Sequence, residues 1–157
     1  MPHSILFVCT ANQCRSPLAE VTFCQFLKDK GEKEEDWKIA SAGVYAVPNF
    51  PATSSARQIA AEMGLDLSSH QAQPITKNLI GSFALVLTME KLHRLELHQM
   101  FPSFANKILM LSETCGLEKD IEDPFGFSLD EYRKTIIVLT KYFRFGWDNI
   151  YKFSKYF

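Results

Sequence analysis

Cys9, Arg15 and Ser16, set in the run C-T-A-N-Q-C-R-S, are the residues whose types and spacing could do chemistry. A thiolate is a strong nucleophile. An arginine offers a planar fork of donors that fits two phosphate oxygens. The short loop between them, Thr10, Ala11, Asn12, Gln13 and Cys14, leaves several backbone N–H groups free to point inward, which makes an anion cradle. Together these parts could hold a phosphate dianion over Cys9 and pass its phosphoryl group to sulfur. A cysteine and an arginine at this spacing also arise by chance, as a buried structural thiol beside a surface arginine, so the flanking elements decide.

Those elements fit. Ile5-Leu6-Phe7-Val8 is a continuous apolar run of strand formers, as expected of a strand buried on both faces. Pro17 suits the first turn of a helix, where its missing N–H costs nothing, and Ser16 before it is expected to be the N-cap. The loop therefore lies at the positive end of a helix dipole, a field that favours Cys9 as thiolate.

The full stretch V-C-T-A-N-Q-C-R-S-P-L-A-E resembles the signature of the low-molecular-weight protein tyrosine phosphatases, V-C-x-G-N-x-C-R-S-P-x-A-E. Ala11 is the one departure inside its fixed positions and implies a slight adjustment of the loop. The similarity extends to Asp123-Pro124 and so covers most of the chain. It implies a phosphotyrosine protein phosphatase I-like, flavodoxin-like three-layer fold and a phosphocysteine mechanism with Cys9, Arg15 and Asp123 as catalytic residues. Phosphoryl transfer to sulfur needs a proton for the leaving oxygen, and hydrolysis then needs a base for water; one carboxyl can serve both. An isolated Asp-Pro is more often a turn opener; beside this signature, Asp123 resembles the family's general acid, with Glu122 as the alternative. By the same resemblance Asn12, Ser16, Ser41 and His70 tie the phosphate loop together, and Cys9 and Cys14 can form a reversible disulfide that guards the nucleophile. Cys14 has the alternative reading of a small buried apolar residue.

Composition sets bounds. The chain has 157 residues, 46% hydrophobic and 22% charged, with a formal net charge of −1. That predicts one globular domain, residues 1–157, with no basic field for nucleic acid and no polybasic or apolar stretch for a membrane. Met1-Pro2-His3 runs directly into a strand, so no secretory signal is read, and a cytoplasmic protein with reduced thiols is expected. The four cysteines lack paired zinc spacing, and His93 and His98 do not share a helical face; neither metal nor cofactor is expected.

Along the chain, helices are predicted over about 17–28, 53–63, 76–80, 90–100 and from Leu129 towards the end. Strands are predicted over 5–8, 37–43, 84–89 and 107–111. Alternation of this kind predicts a doubly wound α/β domain with a four-stranded parallel sheet and helices on both faces, its ligand site beyond the strand carboxyl ends. The last helix is crowded with aromatics: Tyr142, Phe143, Phe145, Trp147, Tyr151, Phe153, Tyr156 and Phe157. Ile136, Leu139, Phe143, Ile150 and Phe153 form its expected core stripe. The remainder reads as further burial or as a homodimer contact.

Aromatic walls would select a flat, long phosphorylated side chain on a protein substrate, and Tyr45 and Phe125 are the candidates, with core packing as their alternative. Gln13 occupies a loop position that is a bulky aliphatic in tyrosine-specific relatives and threonine in the arginine phosphatases of the same superfamily. S-A-G-V-Y-A-V-P-N and D-P-F-G-F-S-L-D-E-Y resemble the arginine branch. Phosphotyrosine is the primary expectation and phosphoarginine the rival. Arsenate reduction, which needs further cysteines after the third strand, is disfavoured because Met89–Met110 holds none. A silent phosphate-binding module is disfavoured by the presence of Cys9, Arg15 and Asp123.

Overall fold

The computed structural model describes residues 2–155. Four parallel strands, β1 (His3–Cys9), β2 (Trp37–Gly43), β3 (Leu85–Thr88) and β4 (Ile108–Met110), form one sheet in the order β2-β1-β3-β4. Six helices surround it: α1 (Arg15–Asp29), α2 (Ser54–Glu62), α3 (Lys77–Gly81), α4 (Lys91–Met100), α5 (Leu129–Phe145) and α6 (Trp147–Phe153). Ile5, Phe7 and Cys9 face the layer built by α1, α2, α5 and α6, whereas Leu6 and Val8 face α3 and α4. Both faces of β1 are thus buried, which is why its sequence is apolar without alternation. The architecture is the doubly wound three-layer fold expected.

Three boundaries depart from the sequence-based expectation. Strand β1 starts at His3, not Ile5. His3 stacks on Trp37 with ring centroids 4.3 Å apart and shares a 2.8 Å hydrogen bond with Ser154. Ser4 accepts from the Ala84 N–H at 2.7 Å. Partners distant in sequence satisfy these polar groups, so burying them costs little. Helix α1 starts at Arg15, with Cys14 at the N-cap and no side-chain cap, because the Ser16 hydroxyl is engaged by the loop instead. On α4, Leu92 and Leu95 are exposed and the inward face is His93 and Leu97. The terminal helix is two helices, broken at Gly146.

The break admits only glycine. A Cβ at Gly146 would lie 2.8 Å from the Tyr142 carbonyl oxygen and 2.9 Å from Thr114 Cβ. Turning there brings Trp147 and Tyr151 against Trp37 and Phe26. Two of the excess aromatics, Trp147 and Tyr151, are consumed in this cluster, which also holds Phe7, Phe23 and Phe143. Phe153, expected in the core stripe, is 41% exposed, as is Phe145 at 65%. Tyr156 and Phe157 lie outside the described residues.

Candidate active site

The carboxyl end of β1 runs into the loop 10–14, and Gly43 of β2 sits opposite Cys9 in register. A Cβ on Gly43 would come within 2.6 Å of the Thr10 carbonyl oxygen and 2.9 Å of Asn12 N, so the loop folds over β2 only because glycine is there. The loop bends through Asn12, which has φ 57, a conformation asparagine tolerates better than most residues. Ala11, where the family signature has glycine, has no positive φ and is accommodated without strain.

Asn12 organises the loop. Its Nδ2 donates to Ser16 Oγ at 2.8 Å and to Ser41 Oγ at 2.9 Å, and its Oδ1 accepts from the Gln73 N–H at 2.9 Å. The Asn12 carbonyl accepts from His70 Nε2 at 2.7 Å. Both amide protons and the amide oxygen of this buried side chain are therefore in use. Ser16 Oγ accepts from Asn12 and lies 2.9 Å from Cys9 Sγ, a pair in which either atom can be the donor, and 3.4 Å from the Ala42 carbonyl, to which its hydroxyl can also donate.

Arg15 is only 2% exposed. Its Nη1 donates to Glu90 Oε2 at 2.6 Å and to the Ile121 carbonyl at 2.7 Å, so the Nε–Nη2 edge is the one left for two oxygens of an anion. Asp123 Oδ2 lies 3.6 Å from Nη2, while Oδ1 accepts from the Phe125 N–H at 3.1 Å. Asp123 therefore opens a turn and faces the cleft at once. Glu122 lines a separate groove against α5 and is not at the cleft.

The cleft encloses about 160 Å³ between Cys9, Gln13, Thr53, Asp123 and Phe125. Cys14 also lines it, and burial pushes its thiol up to about 12, so it stays protonated at neutral pH. Gln13 turns aside: its Nε2 donates to the Pro51 carbonyl at 3.3 Å and its own carbonyl accepts from the Thr53 N–H at 2.9 Å. Phe125, 65% exposed, forms one wall. Tyr45 does not line the cleft. Its ring is 67% exposed, and a hydrogen bond to Glu96 on α4 raises its phenol above the ordinary value. Tyr45 instead contributes backbone, its N–H donating to the Thr10 carbonyl at 2.8 Å.

Three contributors are not legible from the sequence. Thr53 caps α2 by accepting from the Ala56 N–H and also lines the cleft. Glu90 anchors Arg15; its position just past a strand carboxyl end is the one available signal. His93 is buried and its Nε2 lies 2.8 Å from Thr10 Oγ1, a contact that needs tertiary structure to see. Among the described residues no group of three or more histidine, cysteine or acidic side chains could hold a metal ion.

The Low molecular weight phosphotyrosine protein phosphatase family model matches residues 4–145. The chain is 38% identical to the protein-arginine-phosphatase of Bacillus subtilis over 132 residues, covering 83% of this chain and 85% of that one. It is 34% identical to a probable low molecular weight protein-tyrosine-phosphatase of Ralstonia solanacearum over 142 residues, 90% of this chain and 91% of that one. The low molecular weight protein tyrosine phosphatase structure from T. tengcongensis superposes with a TM-score of 0.86 at 38% identity, covering 94% of this chain and 99% of that one. With the strand, loop, helix and acid in this arrangement, the chain belongs to the low molecular weight protein tyrosine phosphatase family.

Proposed function

We propose that the protein is a cysteine-dependent phosphatase that hydrolyses phosphotyrosine on protein substrates. Cys9 Sγ attacks phosphorus, and the P–O bond to the side chain breaks as Asp123 delivers a proton to the leaving oxygen. Arg15 and the loop N–H groups hold the three remaining oxygens. Water then attacks the phosphocysteine, Asp123 takes its proton, the S–P bond breaks and inorganic phosphate leaves. The observation that carries this reading is the Ser16 hydroxyl at 2.9 Å from Cys9 Sγ, beneath a loop whose buried arginine is aimed by Glu90.

The Phe125 wall favours a flat apolar ring, and Asp123 is the one carboxylate lining the cleft among the described residues. Phosphoarginine is the second reading, favoured by the 38% identity to an arginine phosphatase and by the ability of Phe125 to stack on a guanidinium. Four unpaired cysteines, one of them the nucleophile, suit a reducing cytoplasm, and no described helix is long and apolar enough to cross a membrane. Phosphate release from a phosphotyrosine peptide and a phosphoarginine peptide, with Cys9→Ser as blank, tests both readings. Faster release from the tyrosine peptide is expected, and Cys9→Ser is expected to release none. Faster release from the arginine peptide installs the second reading; full activity in Cys9→Ser removes the mechanism.

A further inference from the structure

The first turn of α4 reaches both ends of the phosphate loop. Glu90, its N-cap, takes Arg15 at the loop's far end. His93, one turn on, meets Thr10 at the near end. The tautomer of His93 follows from its neighbours. The backbone N–H of Glu90 can only donate, and it points at His93 Nδ1 from 3.2 Å, so Nδ1 must accept and the ring proton must sit on Nε2. Nε2 then donates to Thr10 Oγ1 at 2.8 Å. The ring is only 3% exposed, and an exchange of either bond for water is closed to it. A buried histidine with both nitrogens committed, one of them to the residue that follows the nucleophile, is more than core filling.

We propose that His93 is a positioning residue for oxyanion binding, acting through an Nε2–H bond to Thr10 that fixes the start of the phosphate loop. Resting on the phosphatase reading, the inference adds a residue that never touches substrate but sets where the loop's first N–H points. Thr10 is held at two atoms: Oγ1 by His93 and the carbonyl by the Tyr45 N–H at 2.8 Å. Loss of the first leaves Thr10 attached to the chain after β2 alone and free to rotate away from the anion.

The test is calorimetric binding of inorganic phosphate to the full chain, run beside kcat and KM on an aryl phosphate and a thermal melt for each variant. His93→Ala and Thr10→Val are each expected to weaken phosphate binding about fivefold. The double variant is expected to be no weaker than either single one, because both remove one bond. His93→Gln, whose amide can present a donor near the Nε2 position, and Thr10→Ser, which keeps the hydroxyl, are expected to retain most of the affinity. Unchanged phosphate affinity in His93→Ala with a lowered melting temperature overturns the proposal in favour of a structural histidine. Additive losses in the double variant also overturn it. Should His93→Ala fail to fold, equal affinity in Thr10→Val and Thr10→Ser overturns it as well. A wild type that binds phosphate without turning over substrate removes the enzyme reading and leaves the His93–Thr10 coupling to be judged on binding.

Discussion

Asp123 is committed at both oxygens, and the division of labour predicts how it fails. Oδ1 closes the turn through Phe125 and Oδ2 faces Arg15 across the cleft. Asp123→Asn keeps an oxygen for the turn and loses the transferable proton. Its kcat is expected to fall by about a hundredfold or more with little change in melting temperature. Steady-state kinetics on aryl phosphates with good and poor leaving groups check this, since a poor leaving group needs the proton most. Equal loss on both would place the acid elsewhere. At this scale the sequence is informative: Cys9 and Arg15 stand out by type and spacing, and Asp123 and Asn12 by the family resemblance of the motifs that hold them. Gln13 and Tyr45 do not reveal their directions, because neither side chain's target, Pro51 or Glu96, is encoded near it.

Elements position these residues through close approaches that tolerate no extra atoms. Strand β2 lies so near the loop that Gly43 is the one residue its register admits opposite Cys9. Gly43→Ala is expected to displace residues 10–12, to reduce kcat/KM by at least about tenfold, and to lower the melting temperature. Kinetics and a melt measured together check it; a fully active Gly43→Ala would mean the loop can retreat without cost. The N-terminal boundary of β1 and the division of the last helix are illegible in the sequence for a related reason. His3 enters the strand because Ser154 and Trp37 receive it, and the break at Gly146 needs a glycine because Thr114 lies against it. Both causes lie in segments remote along the chain.

Over the whole molecule, burial of charge sets the pH response. Glu20 on α1 is pushed above the usual carboxylate range by burial, with the Ser41 hydroxyl opposing. A carboxyl whose folded pKa is raised favours the fold below its unfolded value of 4.5, and that contribution is lost as pH rises through the folded value. At pH 7 the folded protein carries this cost. Glu20→Gln is therefore expected to raise the melting temperature by about 2 °C at neutral pH and to have no such effect near pH 4. Melts at the two pH values decide it; a lowered midpoint at neutral pH would show that the Ser41 bond outweighs desolvation. The terminal aromatics belong to this scale too. Phe143, Trp147 and Tyr151 are spent on the cluster around Trp37, which favours the burial reading, so a monomer on gel filtration at high concentration is the expected outcome.

The sequence by itself determined the class of fold and pointed to the proposed reacting groups. A strand buried on both faces must be continuously apolar, a helix must start where proline is harmless, and a thiol, an arginine and a carboxyl must be spelled out to be used. Tertiary structure alone decided which side chains aim them. Glu90 on Arg15, His93 on Thr10 and Thr53 in the cleft are contacts between segments far apart in the chain. Each of those residues reads locally as part of a helix start, because capping groups and site-building groups are chemically the same donors and acceptors, and only the packed fold says which use prevails.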